Sequence, residues 1–508
     1  MTRLSHATAP AHLIVGTSAP ALPEPPGIVH LGLGNFHRAH AAVYTAKAMA
    51  AAGGSWGIEG WAFSSDRLTA PLAEQDGVYS LVQLSARGTE VQLIDVHRGF
   101  GVARAEAERF VASIADPSRR ILTLTISEKG YCLDPLTGTL DTDHPDIAHD
   151  IALATRRAAG EAADEFAPRS AMGLVAAALT ARAHTGAPFT VLSCDNVQGN
   201  GERTRAAILG FLTAAGAPAE VHDYVRTSVA FPNSMVDRIV PGTTADTAQI
   251  AREATGLEDS APVRSEEFTM WVLEDHFPAG RPAWDEVGAI MTDEVDRYEL
   301  VKLRLLNGSH SLMSYLGALA GAPTIPAAFA TPEIREAVLA LIERDYLPTI
   351  ALPTGFDAAA YVADLEERWS NVLLGDSVSR VGSDGSAKLV QRVPEAAHAR
   401  YLAGSDPALL ALLVAAWIAC VAPPQSPDAE GFEPGALADA MEEPLRDRLR
   451  ELTADAGSIQ EHARAVMAGG IFPDLLTDHA EFTNAVAHDL EMIVHHGAQS
   501  AARQALGN

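Results

Sequence analysis

The sequence predicts an α/β chain of two domains, in which a doubly wound N-terminal domain with a largely parallel sheet precedes a mostly α-helical C-terminal domain. Up to residue 294, short apolar runs alternate with Ala-rich helical stretches. From residue 295 onward, Leu, Ala, Glu and Arg recur at helical spacing. The 508 residues also exceed the roughly 250–300 that one hydrophobic core serves. We therefore expect domains over residues 1–294 and 295–508.

The N-terminal strands are predicted from short apolar runs that end in glycine or polar residues. They are expected at residues 28–33, 61–63, 121–126 and 189–192, with helices at 38–52 and 171–184. Strands separated by helices favour parallel pairing with right-handed crossovers. The C-terminal helices are expected at residues 298–319, 333–346, 407–422 and 480–496.

Composition and charge restrict the classes of partner. A formal net charge of −28 repels phosphate backbones and anionic lipid heads, so neither nucleic acid nor a membrane is expected as a partner. The three cysteines, Cys132, Cys194 and Cys420, form no CxxC pair, and the histidines show no metal-ligand spacing. The N-terminus also lacks the pattern of a signal peptide. We therefore expect a cytoplasmic protein with no disulfide framework and no metal.

A glycine pair follows the first predicted strand, in the segment VHLGLGNFHRAH. Gly32 and Gly34 would let the backbone approach a pyrophosphate at a helix N-terminus, as in a Rossmann-type NAD-binding turn. His37 stands where the standard fingerprint has its third glycine, so a plain strand–turn–helix explains the spacing about equally well. Asp66, after the second strand, is a candidate for the adenine ribose, and a solvated loop aspartate is the alternative.

The stretch YELVKLRLLNGSHS concentrates polar side chains at helical spacing. At about 100° per residue, one helical arc would hold Lys302, Glu299, His310 and Asn307 together with two leucines. Burial of Lys302 on such a face would favour its neutral amine, which can act as the general base for an alcohol. A Lys302–Glu299 ion pair on a solvated helix explains the spacing equally well.

A second polar cluster, SCDNVQGNG, follows the strand predicted at residues 189–192. Loops at the carboxyl ends of parallel strands are where α/β sheets bind ligands, so Asn196 is a candidate ligand-binding residue. Asparagine is also common in turns, and a turn role is the alternative.

Taken together, HLGLGNFHRAH, CDN, MVDRI and KLRLLNGSHS closely resemble the polyol-specific long-chain dehydrogenases, the family of mannitol 2-dehydrogenase and fructuronate reductase. The resemblance runs from about residue 27 to the C-terminal helices, and the KxxxxNxxH pattern is specific. It implies a metal-independent enzyme that moves a hydride between NAD and a secondary alcohol of an open-chain sugar derivative. It also implies a monomer or a weak oligomer.

The resemblance implies a role for each matching residue. Lys302 resembles the general base, Asn196 and Asn307 the pair that polarises the reacting oxygen, His310 a substrate-orienting residue, and Glu299 a glutamate that passes protons to solvent. Substrate-contacting positions are matched by Asp237, Arg380 and Lys388, and cofactor-facing positions by Gly32, Gly34, Phe36, Arg38 and Glu128.

The choice of substrate rests on mixed patterns. SEKGYC and KLVQRV look more like fructuronate reductases, whereas Arg380 with Asp376 looks more like mannitol dehydrogenases. The polyol is favoured, with fructuronate or tagaturonate as the alternative substrate. A catalytically silent NAD-binding sensor is the alternative of another class, and the retained lysine base argues against it. A phosphorylated polyol would call for an added basic cluster, which this acidic sequence does not show.

Overall fold

The computed structural model describes residues 2–15, 25–134, 137–160 and 166–507. It divides into two compact units, of which the first ends at Asp296 and the second begins at Arg297. This division falls in the first turn of a helix, close to the boundary expected after residue 294. Within the described ranges, no helix is both long enough and apolar enough to cross a membrane.

All strands of the described residues lie in the first unit. They are β1 (Ile14–Val15), β2 (Ile28–Leu31), β3 (Ile58–Ala62), β4 (Tyr79–Ser85), β5 (Gly88–Ile94), β6 (His97–Val102), β7 (Ile121–Leu124), β8 (Phe189–Ser193), β9 (Val229–Ala230), β10 (Ser234–Asp237), β11 (Val263–Glu266), β12 (Met270–Leu273) and β13 (Ile290–Met291).

The helices of the first unit mostly connect these strands. They are α1 (Asn35–Ala39), α2 (Ala41–Ala52), α3 (Thr69–Glu74), α4 (Ala107–Ala115), α5 (Pro145–Ala158), α6 (Ala171–Ala183), α7 (Asn200–Ala214), α8 (Ala219–Ser228) and α9 (Ala245–Thr255), with short 3₁₀ turns at Ala11–Leu13, Glu128–Tyr131 and Asp285–Val287.

A six-stranded parallel sheet organises this unit, in the order β6-β3-β2-β7-β8-β9. The register pairs Ile28 of β2 with Ile58 of β3 on one side and with Ile121 of β7 on the other. The chain moves outward from β2 in both directions, so the strand order reverses between β2 and β7. The predicted doubly wound parallel sheet is therefore confirmed, and the four predicted strands correspond to β2, β3, β7 and β8.

Successive residues of the central strands face opposite sides of this sheet, as the strand period of two requires. Val29 and Leu31 belong to a core cluster with Phe110 of α4 and Met172 of α6. Ile28 faces the other side, in a separate cluster that includes residues of α2, β4 and β12. Both faces are covered, which explains why these strands are apolar throughout.

Two smaller sheets in the first unit were not predicted from the sequence. One has the order β1-β5-β4-β11 and the other the order β10-β12-β13. Several of their strands are only two to four residues long, so they carry too little periodicity to be recognised. Their pairing joins segments far apart in the chain, such as Val263 of β11 with Leu81 of β4.

The second unit is helical, as predicted. Its elements are α10 (Val295–Val301), a π-helix (Lys302–Gly308), α11 (Ser309–Leu319), α12 (Ile325–Phe329), α13 (Pro332–Ala340), a second π-helix (Leu341–Tyr346), a 3₁₀ turn (Leu347–Thr349), α14 (Ala358–Trp369), α15 (Val378–Gly382), α16 (Gly385–Arg392), α17 (Pro394–Leu402), α18 (Ala408–Val421), a 3₁₀ turn (Pro427–Ala429), α19 (Ala436–Asp439), α20 (Arg446–Thr453), α21 (Ile459–Ala468), α22 (Asp474–Thr477), α23 (Ala480–His496) and α24 (Ala498–Ala505). The apolar helix α18 is almost wholly buried, and α11 and α23 pack against it.

The side chain of Arg182, on α6, connects the end of α4 to the segment that precedes β8. Its buried guanidinium donates to the carbonyl oxygens of Ile114 at 2.6 Å and Asp116 at 2.9 Å, at the C-terminal end of α4, and to that of Pro188 at 3.0 Å, before β8. Arg182→Met would leave these carbonyls without donors, so the free energy of unfolding should fall by about 3 kcal/mol. Urea unfolding followed by circular dichroism measures the change. Arg156→Met, at an exposed site on α5, is the matched control and should change it by less than about 0.5 kcal/mol.

Candidate functional site

Four predicted site residues lie beyond the carboxyl ends of four adjacent parallel strands. Gly32 follows β2, Asp66 follows β3, Glu128 follows β7 and Asn196 follows β8. Asp66, Glu128 and Asn196 are exposed. The sheet thus brings these positions to one edge, around the point where the strand order reverses, and open α/β sheets bind their ligands there.

The glycine turn after β2 has the backbone shape that a dinucleotide phosphate requires. Gly32 has a φ of +105°, and a Cβ atom on it would lie 2.0 Å from the carbonyl oxygen of Thr125, just beyond β7. A Cβ atom on Gly34 would meet only the carbonyl oxygen of Gly32, at 3.5 Å. The first glycine is therefore needed for close packing, while the second leaves open space in which a phosphate could approach the backbone. These residues fit an NAD pyrophosphate.

His37, which replaces the third glycine of the fingerprint, points into the protein. Its ring stacks on that of His30 with centroids 3.3 Å apart, and its Nε2 lies 3.1 Å from Nε2 of His97. Gly60 on β3 leaves room beside this cluster, because a Cβ atom there would lie 3.3 Å from the His97 ring. Burial lowers the pKa of His30 to about 3 and that of His37 and His97 well below the ordinary value. All three rings are therefore neutral near pH 7.

Arg38 and Phe36 contact the protein around the glycine turn. The buried guanidinium of Arg38 donates to the carbonyl oxygen of Ala261 and, at 2.7 Å, to Oδ1 of Asn35. Phe36 stacks on the ring of His40, with centroids 5.0 Å apart. These contacts fix the shape of α1. A direct contact of either side chain with the cofactor remains a prediction.

Asp195 links the loops that follow β7 and β8, a role that the sequence analysis missed. Its carboxylate accepts hydrogen bonds from the backbone N–H groups of Ile126 and Ser127, both at 2.9 Å, and from the Tyr131 hydroxyl at 2.8 Å. Burial raises the pKa of the Asp195 carboxyl, although these donors oppose the rise. The position next to Asn196 was the only sequence signal for this role.

Asn200 fixes the other end of the loop that carries Asn196. Its buried side-chain amide donates to the carbonyl oxygens of Asp195 at 3.1 Å and Ser234 at 2.8 Å, and its Oδ1 accepts from the Ser234 N–H at 2.9 Å. Asp237, a predicted substrate residue, is buried at the last position of β10, the strand that Ser234 begins. Asn200 was missed because only tertiary contacts distinguish it from an ordinary turn asparagine.

The predicted catalytic segment is not a regular α-helix, so the expected spacing of about 100° per residue was wrong for it. Residues Lys302–Gly308 form a π-helix between α10 and α11. In a π-helix the hydrogen bond spans five residues rather than four, so positions five apart lie on successive turns. Lys302 and Asn307 are five apart, and both are half-buried while residues 303–306 between them are buried. Glu299 and His310 are half-buried as well.

Neighbouring helices support this π-helix. Gly308 packs so closely on the second π-helix that a Cβ atom on it would lie 2.3 Å from Oη of Tyr346. Arg392 of α16 donates to the carbonyl oxygen of Asn307 at 2.9 Å, and Arg304 donates to the carbonyl oxygen of Thr349 at 2.6 Å. π-Turns within α-helices are frequent at functional sites.

The predicted substrate residues of the second unit lie on α15 and α16, which pack against α11 and the first π-helix respectively. Arg380 is exposed and forms an ion pair with Asp376. Nζ of Lys388 donates to the carbonyl oxygens of Ser383 at 2.5 Å and Val381 at 3.2 Å, just where α15 ends. These bonds connect α16 to the segment that carries Arg380.

No group of three or more His, Cys, Asp or Glu side chains in the described ranges is arranged to hold a metal ion.

Comparison with known families gives two matches that together span most of the chain. Residues 26–286 match the model of the mannitol dehydrogenase Rossmann domain. Residues 294–494 match the model of the mannitol dehydrogenase C-terminal domain.

Individual relatives agree with these matches. D-mannonate oxidoreductase of Escherichia coli (strain K12) is 35% identical over 477 residues, covering 93% of this chain and 94% of the relative. Mannitol 2-dehydrogenase of Cereibacter sphaeroides is 38% identical over 396 residues, covering 77% and 80%. Among solved structures, Pseudomonas fluorescens mannitol 2-dehydrogenase in a ternary complex with NAD and D-mannitol has a TM-score of 0.82 and 32% identity, with both chains fully covered.

Gly308→Ala tests whether close packing holds the π-helix. The added methyl group would clash with the Tyr346 ring, so the free energy of unfolding should fall by about 2 kcal/mol. In a double-mutant cycle with Tyr346→Leu, which removes the ring, the two losses should couple by about 1 kcal/mol or more. Gly210→Ala is the matched control, because that helical glycine has room for a Cβ atom and alanine should stabilise the helix slightly. Full additivity in the cycle would refute this account of the packing.

Proposed function

The chain belongs to the mannitol dehydrogenase family, and on that premise we propose that it oxidises a secondary alcohol of an open-chain polyol to a ketose, and catalyses the reverse reduction, with Lys302 as the general base. It is an NAD-dependent oxidoreductase that acts on CH–OH donors. The observation that supports this assignment is the π-helix, in which Lys302 and Asn307 are five residues apart and both half-buried.

The side chains on this face would divide the chemistry among them. The amine of Lys302 would accept the proton of the substrate hydroxyl, and the Asn307 amide would donate to the oxygen as negative charge develops on it. His310 would orient the substrate by a hydrogen bond, and Glu299 would pass the proton on toward solvent. The role of Asn196, donation to the reacting oxygen, stays a prediction from the resemblance.

NAD is the cofactor, and when bound it accepts the hydride from the carbon that carries the hydroxyl. The turn containing Gly32 and Gly34 would hold its pyrophosphate. Asp66 would accept hydrogen bonds from the adenine ribose and repel a 2′-phosphate, which favours NAD over NADP. Phe36, Arg38 and Glu128 remain predicted cofactor-facing residues.

A neutral polyol is the substrate that the second unit favours. A uronate would need a cation whose charge is available to its carboxylate. The Arg380 guanidinium is already paired with Asp376, so the pair as a whole is neutral and suits hydroxyl groups better. We propose mannitol or arabinitol as substrate. Fructuronate or tagaturonate reduction is the second candidate, which the similarity to D-mannonate oxidoreductase supports.

Replacing Lys302 tests the proposed base. Lys302→Ala should lower the turnover number by about 10²–10⁴-fold, because general base catalysis contributes that much, while the dissociation constant of NADH changes little. Steady-state kinetics and fluorescence titration measure the two quantities. Lys47→Ala, at a half-buried lysine on α2, is the matched control and should keep normal turnover.

The same assay separates a lysine base from a metal-bound hydroxide. Exhaustive EDTA treatment should leave the wild-type turnover unchanged, since a lysine needs no metal to accept the proton. Near-normal turnover of Lys302→Ala, or a loss on EDTA treatment that zinc alone restores, would contradict the proposal.

Competing substrates test the role of the Arg380–Asp376 pair. Catalytic efficiency should be higher for mannitol oxidation and fructose reduction than for fructuronate reduction. Arg380→Ala should raise the Michaelis constant for the polyol and leave NADH binding unchanged. Asp376→Asn frees the guanidinium charge, so it should shift the ratio of efficiencies toward fructuronate. A wild-type enzyme that reduced fructuronate about tenfold more efficiently than fructose would replace the polyol with the uronate as substrate.

A further inference from the structure

A cavity lies in the helical unit, between the start of α18, α23 and α24. Its volume is about 390 Å³, within the range of small-molecule sites. The lining combines acidic and small apolar residues, which are Tyr401, Asp406, Pro407, Ala408, Glu481, Ala485, His488, Asp489, Gln504 and Ala505. No lysine or arginine lies among these described lining residues.

Asp489 is the unusual member of this lining. It is only 7% exposed and stands on the apolar face of α23, among residues such as Val486, Leu490 and Ile493. Among the described residues its carboxylate has neither a hydrogen-bond donor nor a cation as partner. Burial alone raises its pKa to about 7. A buried, unpaired carboxylate is costly, and a cation that entered the cavity would remove that cost.

The other polar groups of the cavity point to the same kind of ligand. Tyr401 is held by stacking of its ring on His479, with centroids 4.5 Å apart. Burial, together with the carboxylates of Asp406, Glu481 and Asp345, raises the pKa of Tyr401 to about 12. Negative charge therefore converges on this side of the cavity, where Asp406 and Glu481 are exposed at its rim.

Several other polar groups in and around the cavity already interact with groups of the protein. His488 is hydrogen-bonded to Gln504 across the lining. Asp345 accepts from the N–H groups of Leu409 and Leu410, at 2.9 and 3.1 Å, so it does not need a ligand. Among the arginines on neighbouring segments, Arg344 donates to the carbonyl oxygen of Leu506 at 3.1 Å, and Arg503 pairs with Glu333 at 3.8 Å. The charge of Arg400, next to Tyr401, acts on Asp345 and opposes the rise of its pKa.

We propose that this cavity binds an aliphatic diammonium ion, with the Asp489 carboxylate as counter-ion to one ammonium group and Asp406 and Glu481 facing the other. The alkyl chain would lie against Pro407, Ala408, Ala485 and Ala505. A single metal ion fits less well, because no three ligand-type side chains of the described residues are arranged to coordinate one. The site involves neither the first π-helix nor α15 and α16, so it is separate from the proposed active site.

Isothermal titration calorimetry of the full-length protein with 1,4-diaminobutane tests the proposal. We expect saturable binding to one site, and no binding of 1,4-butanediol, which has the same shape without charge. Asp489→Asn should weaken binding by about tenfold or more, since it removes the buried counter-ion and keeps the shape. Glu491→Gln removes the same charge on α23 outside the lining, where Glu491 bonds to Gln460, and is the matched control.

The pH dependence of the affinity distinguishes this site from nonspecific binding to an acidic surface. Only the ionised Asp489 pairs with an ammonium group, so affinity should rise about tenfold between pH 6 and pH 8 in 0.15 M NaCl. His488, Asp406 and Glu481 also line the cavity, so the series is repeated in Asp489→Asn, where most of the rise should disappear. Absence of binding, equal binding of the diol, or an unchanged affinity in Asp489→Asn would overturn the proposal.

Discussion

The helix that runs from Val295 to Leu319 depends on one local constraint, the π-helix at Lys302–Gly308. Its wider turns are stable only because surrounding groups hydrogen-bond to its backbone and pack against it. Gly308 allows the approach of Tyr346, and Arg392 supplies a donor to the carbonyl oxygen of Asn307. Every candidate catalytic side chain of the second unit lies within or beside this segment, so their relative positions follow from how it is held.

A comparable constraint acts at the sheet edge of the first unit. Close contact between Gly32 and Thr125 sets the path of the chain after β2. The space that a third glycine would leave is filled by His37, which stacks on His30. Three imidazoles remain neutral there only because burial disfavours their charged forms. The turn thus keeps the open backbone of a nucleotide site, although a buried histidine packs where the fingerprint has a glycine.

Three aspartates of this chain differ in the groups that compensate their negative charge. Asp195 is half-buried and links two loops through three hydrogen-bond donors. Asp376 forms an ion pair with Arg380, and on this ground we propose an uncharged substrate. Asp489 is buried, yet it faces a cavity and has no partner among the described residues. Only the last arrangement calls for a ligand, because the others already compensate the cost of burying charge.

The sequence by itself determined the fold class, because strand and helix patterns have local periods that can be read residue by residue. It located β2, β3, β7 and β8, and its prediction for residues 480–496 coincides with α23. Local motifs also identified the family, since the glycine pair and the KxxxxNxxH pattern each lie within one short stretch of sequence. Within the site, the residue types were available from the sequence, although their roles remain to be tested.

Tertiary structure decided what depends on distant partners. The π-helix could not be predicted, because its stability comes from Tyr346 and Arg392, which are far from it in sequence. The supporting roles of Asp195 and Asn200 appear only when neighbouring loops meet. The smaller sheets join short strands whose own pattern is too weak to fix their pairing. Local periodicity specifies elements, whereas long-range packing specifies the geometry in which their side chains can act.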